Sequence, residues 1–137
     1  MAALVDTSAL FAMADRGNVE HAALRSWIDG SDEVLVVPAT VLPEIDYLAG
    51  TRLGIAAELA ILRAVATGEL RLEHVTAADL SRCVELIEQY ADSDIGLVDA
   101  SVVALAERLR ITRVLTLDRR HFAILRPKHC SAFELLP

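Results

Sequence analysis

Several features of specialised proteins are missing from this sequence. Only 4% of its 137 residues are aromatic, so an extended surface for stacking nucleic-acid bases is not expected. The two cysteines, Cys83 and Cys130, are far apart and match no metal-binding or redox spacing, which indicates reduced thiols. No stretch approaches the roughly 18 apolar residues of a membrane span, and no signal-like apolar core precedes Asp6. We therefore expect a cytoplasmic protein that makes no contact with a membrane.

Charge is unevenly distributed along the chain. The formal net charge of −7 argues against a protein that binds nucleic acid through its overall charge. Residues 1–105 carry 6 arginines and 17 acids, a charge of −11, whereas residues 106–137 carry 7 basic and 3 acidic residues, a charge of +4. The basic segment either complements helix dipoles or offers a cationic surface to a partner, and the sequence leaves both interpretations open.

Alternating strand and helix patterns predict the fold class. Short apolar runs predict strands at residues 2–5, 34–37, 70–75 and 113–117, with a further short one within 130–135. Helical periodicity, the capping residues Ser8 and Asn18 and glycine stops such as Gly50 predict helices near residues 8–13, 19–27, 40–49, 53–67, 76–90 and 97–110. We predict a single α/β domain over residues 1–137, with a central, mainly parallel β-sheet flanked by helices.

Two acidic residues follow predicted strands directly. Asp6 comes after the first strand, and Asp118 comes at the end of the fourth. In an open α/β sheet, the carboxyl ends of the strands share one edge, where ligands bind. The two carboxylates are expected to face one crevice if their strands are close neighbours, although each could instead be a helix cap.

Two further acids interrupt apolar helix stripes. Asp99 lies three and four residues before Val102 and Val103, on the core-facing side of its helix. Glu44 lies near the buried stripe of residues 41 and 48, so we expect its side chain to point toward the sheet. Carboxylates gathered in a water-poor place repel one another, and a hard divalent cation such as Mg²⁺ relieves that repulsion. Such a site suits phosphodiester hydrolysis, because the metal activates water and stabilises charge on phosphate oxygens.

At these acids the chain resembles a known family. Its motifs VDTSAL at 5–10, P-x-x-x-x-P-E at 38–44, LVDAS at 97–101 and TLDRRHF at 116–122 are similar to those of PIN-domain ribonucleases, and most similar to those of the VapC toxins. The resemblance covers nearly the whole chain and implies a PIN-like fold. It implies that Asp6 and Asp99 hold Mg²⁺, with Mn²⁺ as a plausible substitute, and that Glu44 and Asp118 are supporting acids of the same metal-binding, catalytic group.

The resemblance also assigns roles to neighbouring residues and to partners. Ser8 and Thr116 match small polar positions within such a site, and Asp92 and Asp94 are either outer ligands or parts of a solvated loop. A homodimer and a VapB-like antitoxin are implied, with the helix at 53–67 as one possible wall of the antitoxin groove. Arg119 and Arg120 follow Asp118 and are candidate RNA-binding residues, although one of them could instead hold a site carboxylate.

Other families of acidic α/β proteins fit less well. A phosphorelay receiver needs paired acids after the first strand and a late lysine, but Thr7 follows Asp6 and the only lysine is Lys128. A haloacid-dehalogenase phosphatase needs D-x-D there, and position 8 is serine. The remaining alternative is a PIN-like module that binds RNA or a partner without cutting. The sequence does not identify the RNA target, the cut site or the number of metal ions.

Overall fold

The computed structural model describes residues 1–137, and a five-stranded parallel sheet lies at its centre. The spatial order of the strands is β3-β2-β1-β4-β5. This confirms the predicted α/β class with a parallel sheet. The strands are β1 Ala2–Val5, β2 Val34–Pro38, β3 Arg71–Glu73, β4 Arg113–Leu115 and β5 Glu134–Leu136.

Strand β1 is the middle strand of the sheet, and later strands are added first on one side of it and then on the other. It pairs with β2 on one side, with Ala3 opposite Leu35, and with β4 on the other, with Val5 opposite Leu115. The chain builds β1, β2 and β3 toward one edge and then returns to add β4 and β5 at the other. The carboxyl ends of β1 and β4 therefore flank a topological switch point, where α/β sheets bind ligands.

Helices cover both faces of the sheet. Because strand side chains alternate, Ala3 and Val5 of β1 pack in a core with the first four helices, and Leu4 packs in a second core with the last three. None of these helices has both the length and the apolar character needed to cross a bilayer. The helices are α1 Thr7–Ala14, α2 His21–Asp29, α3 Val41–Arg52, α4 Ile55–Ala66, α5 Ala77–Gln89, α6 Leu97–Leu109 and α7 Arg119–Ile124.

Several helix ends differ from the sequence prediction for local reasons. Helix α3 continues through Gly50, the expected stop, and the chain turns instead at Gly54, whose φ of +99° favours glycine. Asn18 does not cap α2; its side chain accepts a hydrogen bond from the Glu20 N–H at 2.8 Å in the preceding turn. Helix α7 was not predicted at all. It has only six residues and is anchored by the buried Phe122.

A polar contact fixes the end of α6 against the start of α5. Asp79 is 4% exposed and accepts hydrogen bonds from the Thr76 N–H at 2.9 Å and from Arg108 Nε of α6 at 3.1 Å. Thr76 caps α5 in return by accepting a hydrogen bond from the Asp79 N–H. Burial alone would raise the pKa of Asp79, but the bonds from Thr76 and Arg108 outweigh it and hold the pKa below its usual range.

Asp79→Asn is expected to lower the free energy of unfolding by about 2 kcal/mol at neutral pH, because Arg108 and the cap lose a charged acceptor. The native pKa of Asp79 is depressed, so this contribution is present above the unfolded pKa and disappears as the carboxylate is protonated in acid. Urea unfolding at neutral and acidic pH measures both effects. Glu85→Gln, which removes an exposed partner of Arg82, is the control and should stay within about 0.5 kcal/mol of wild type. A loss for Asp79→Asn that persisted unchanged in acid would contradict this account.

Candidate active site

Asp6 is a buried carboxylate at the end of β1. It is 5% exposed and is the N-cap of α1. Its Oδ1 accepts hydrogen bonds from Ser8 Oγ at 2.6 Å and from the Ala9 N–H at 3.3 Å, and its Oδ2 accepts one from Thr116 Oγ1 at 2.8 Å. Burial raises the pKa of Asp6, and these hydrogen bonds act against that rise. Of the two caps that the sequence offered for α1, Asp6 caps the helix and Ser8 lies within it.

Two hydroxyl groups join Asp6 to the segment that follows β4. Ser8 Oγ accepts a hydrogen bond from the Leu117 N–H at 3.0 Å, and Thr116 Oγ1 accepts one from the Asp118 N–H at 2.9 Å. Each hydroxyl therefore donates to Asp6 and accepts from the backbone that leads to Asp118. This arrangement fixes the ends of the two neighbouring strands relative to each other.

Asp99 lies in the first turn of α6, with its side chain 20% exposed. Burial raises the pKa of Asp99 from 3.8 to about 6; the charge of His121 opposes the rise, and the charges of Asp118, Asp6 and Glu44 add to it. A carboxyl group whose pKa is raised by burial and by other carboxylates is typical of a functional site.

Glu44 lies in the first turn of α3 on the rim of the same cleft. Its side chain is exposed, so the expectation that it would point toward the sheet is only partly right. The start of α3 is tied to α6, because Thr40 Oγ1 lies 2.6 Å from Ser101 Oγ and Ser101 donates to the Val98 carbonyl at 2.7 Å. Sequence reasoning did not identify this link. Its only signal is a serine inside the apolar stripe of α6, and Ser101 is fully buried.

All four predicted acids line one cleft of about 490 Å³ at the switch point. Asp92 and Asp94 lie in an exposed loop outside it. Arg119 and Arg120 are also exposed and do not line it; Arg119 donates a hydrogen bond to the Pro137 carbonyl at 2.9 Å. The lining residues are Asp6, Thr7, Ser8, Phe11, Glu44, Leu48, Gly96, Leu97, Val98, Asp99, Asp118 and His121.

The donor atoms of this cleft suit a hydrated hard cation. No three His, Cys, Asp or Glu side chains are close enough together to hold an ion by themselves. Mg²⁺, however, usually keeps several waters and takes only one or two carboxylates from the protein. The mutual repulsion that helps to raise the pKa of Asp99 is what such a cation would relieve. An open cleft with four carboxylates therefore fits a partly hydrated ion better than a closed structural site.

Asp99→Asn is expected to stabilise the metal-free protein at neutral pH. The native pKa of Asp99 is raised, so the folded chain binds more protons than the unfolded chain between about pH 4 and 6, and stability falls as pH rises through that range. Removing the charge should recover about 1–3 kcal/mol at pH 7, since one pKa unit corresponds to about 1.4 kcal/mol. Chemical denaturation in EDTA measures the difference.

Asp92→Asn, in the exposed loop, is the matched control and should leave the pH profile unchanged. An Asp99→Asn protein that was less stable than wild type at neutral pH in EDTA would show that the carboxylate is not under electrostatic strain.

Comparison with known proteins identifies the family of this chain. Residues 3–126 match the PIN domain family. The protein named Ribonuclease VapC26 from Mycobacterium tuberculosis (strain ATCC 25618 / H37Rv) is 44% identical over 134 residues, which cover 98% of this chain and 99% of that protein.

Solved structures share the fold. Mycobacterium tuberculosis VapC20, described as a sarcin-ricin-loop-cleaving toxin, superposes with a TM-score of 0.81 at 24% identity, covering 88% of this chain and 92% of that chain. VapBC2 from Rickettsia felis, bound to a DNA fragment from its promoter, gives a TM-score of 0.70 at 15% identity over the full length of both chains. Because the family match covers most of the sequence and the VapC26 alignment covers nearly all of it, this chain belongs to the PIN domain family, among the VapC ribonucleases.

Proposed function

We propose that this protein is a Mg²⁺-dependent endoribonuclease toxin that is neutralised by a VapB-like antitoxin. The observation that carries the proposal is the convergence of Asp6, Glu44, Asp99 and Asp118 on one cleft at the switch point of the sheet. The near full-length similarity to a protein named as a VapC ribonuclease supports the reaction class. Mn²⁺ is expected to substitute for Mg²⁺, because both accept carboxylate and water oxygens.

The four acids divide the work of phosphodiester hydrolysis. Asp6 and Asp99 would hold the ion, which when bound supplies an activated water and offsets charge on the phosphate. The hydroxyls of Ser8 and Thr116 keep Asp6 in one orientation before substrate arrives. Asp118, whose side chain is 38% exposed, and the exposed Glu44 would accept a proton or orient water at the cleft mouth.

RNA must reach this cleft despite the acidic body of the protein. Arg119 is held by the Pro137 carbonyl, whereas Arg120 on the first turn of α7 is exposed. We assign Arg120 the main contact with phosphate and Arg119 a secondary one. Because its proposed substrate is RNA, we propose that the protein acts in the cytoplasm, as one domain over residues 1–137.

The antitoxin is proposed to bind a second, more apolar groove. A cavity of about 810 Å³ lies between α1, α2 and α4, and 12 of its 19 lining residues are hydrophobic. One face of α4, the helix suggested by the sequence, contributes small and aliphatic side chains that leave room for an inserted segment: Ala56, Ala57, Ala60, Ile61 and Ala64. An amphipathic antitoxin tail fits such a groove.

A homodimer is also proposed. Helix α5 leaves Leu80, Val84 and Ile87 exposed at spacings of four and three residues, which is one face of a helix. Exposed aliphatic side chains in such a row are typical of an interaction surface. Sedimentation equilibrium would measure the stoichiometry, and a strictly monomeric protein would contradict the proposal.

The nuclease proposal is tested with antitoxin-free protein and total RNA that includes tRNA and intact ribosomes. Wild type should cleave with Mg²⁺ or Mn²⁺ and not with EDTA. Asp99→Asn should cut about 10²-fold more slowly, since it removes a carboxylate that would hold the ion. Asp92→Asn, the same change in the exposed loop, should cleave like wild type. Fragment ends mapped by sequencing would identify the RNA.

Equal RNA profiles in all arms would contradict the nuclease and favour a PIN-like module that binds without cutting. Isothermal titration with Mn²⁺ distinguishes the cases further, because such a module is expected to have lost its metal as well as its activity.

Ala60→Arg should weaken capture of the antitoxin without reducing RNA cleavage. Ala60 is exposed and lines the apolar groove, so a charged side chain there blocks insertion without entering the core. The chain is co-expressed with the product of its neighbouring reading frame, and the complex is measured by affinity purification. Ala66→Arg is the matched control, because Ala66 is exposed on the same helix but does not line the groove. Equal loss, or no loss, in both variants would place the antitoxin elsewhere.

A further inference from the structure

One histidine lies between two carboxylates of the cleft. His121 Nδ1 is 3.1 Å from Asp118 Oδ2 and 3.4 Å from Asp99 Oδ2. The atom is buried and not aligned with either oxygen as a single hydrogen bond would require. It lies within reach of two acceptors and forms a regular hydrogen bond with neither. In the sequence, His121 directly follows Arg119 and Arg120 in the motif TLDRRHF.

The backbone around His121 fixes where the ring can go. His121 lies three residues after Asp118, the N-cap of α7, so the two side chains share one face of the first turn. The next residue, Phe122, is 1% exposed, and its ring packs edge-on against Phe133 with centroids 6.4 Å apart. Since the aromatic pair anchors this six-residue helix, the backbone of His121 is held beside the cleft.

The carboxylates of Asp99 and Asp118 differ in how firmly the fold holds them. Asp99 is held on the long, largely buried helix α6, whereas Asp118 lies at a helix start with its side chain 38% exposed. Like charges on the two would drive the more exposed one toward solvent. A donor that both oxygens share opposes that movement.

We propose that His121 is a positioning residue, whose Nδ1–H holds the Asp118 carboxylate beside that of Asp99 so that both face the cleft before a divalent ion enters. This inference rests on the proposed metal-dependent function. It makes His121 a supporting residue of the ion site rather than an RNA-binding cation. Partners that orient metal-binding carboxylates in this way typically contribute 10-fold to 100-fold to metal affinity.

The test compares two amide substitutions by Mn²⁺ titration calorimetry without RNA, at about pH 8, where an ordinary imidazole is neutral. The amide nitrogen of Asn takes the place of Nδ1, and that of Gln takes the place of Nε2. His121→Gln should weaken Mn²⁺ binding about 10-fold, and His121→Asn should restore most of the affinity. Cleavage by the Gln variant should recover at saturating Mn²⁺, which separates a binding defect from a catalytic one.

His21→Gln is the matched control. His21 Nδ1 lies 2.9 Å from one acceptor, the Ala12 carbonyl, and this histidine is outside the cleft. It should bind Mn²⁺ like wild type. If His121→Gln bound Mn²⁺ as tightly as wild type, or if the Gln and Asn variants lost the same affinity, the proposed role of Nδ1 would be wrong. If wild type bound no Mn²⁺, the metal dependence itself would fail, and this inference with it.

The position of the proton on His121 can also be measured in the unaltered protein, so the test does not depend on a variant that folds. Long-range ¹H–¹⁵N correlation spectra report which ring nitrogen of each histidine carries the proton. A proton on Nδ1 of His121 in the metal-free protein is expected, and a neutral ring with its only proton on Nε2 would overturn the proposal.

Discussion

The hydrogen bonds that Ser8 and Thr116 donate to the carboxylate of Asp6 are the contacts on which the rest of the site depends. A charge that is 5% exposed persists in a protein only if its oxygens are satisfied, and here Ser8 and Thr116 supply the donors. Both hydroxyls also accept backbone N–H groups from the segment after β4. Satisfying one buried carboxylate therefore fixes the register between the ends of β1 and β4. The position of Asp118 follows from that register.

The fold opposes the repulsion that the cleft creates. The carboxylate of Asp99 destabilises the metal-free protein, because its burial, and to a smaller extent the charges of the other three acids, raise its pKa. Asp99 nevertheless stays in place, because α6 is held near both of its ends. Ser101 bonds to Thr40 near the cleft, and Arg108 bonds to Asp79 near the other end of the helix. Electrostatic strain is thus concentrated at the site, while its supporting elements are rigid. This division is the usual way in which an ion site is kept ready for its ligand.

The four acids of the cleft could be predicted from the sequence, whereas the strand order and the short helix beside them could not. Asp6 and Asp118 could be predicted because each ends an apolar run, and Asp99 and Glu44 because each interrupts an apolar helix stripe. The adjacency of β1 and β4 could not be derived, since strand order depends on contacts more than a hundred residues apart along the chain. Helix α7 was missed for a related reason. Six residues have no helical stability of their own, and the packing of Phe122 on Phe133 supplies it.

The basic C-terminal segment acquires a third interpretation beyond helix dipoles and a cationic surface. Part of its charge is used inside the fold: Arg108 pairs with Asp79, and Arg113 pairs with Glu33 and Glu134. The exposed Lys128 lies 3.7 Å from Glu85 of α5, but the other four basic side chains form no salt bridge and remain for a partner: Arg110, Arg119, Arg120 and Arg126. A phosphate backbone approaching this acidic protein then meets the exposed Arg120 on the first turn of α7. Attraction at the cleft would come from this arginine and from the divalent ion together, so binding of RNA should depend on the ion less strictly than hydrolysis does.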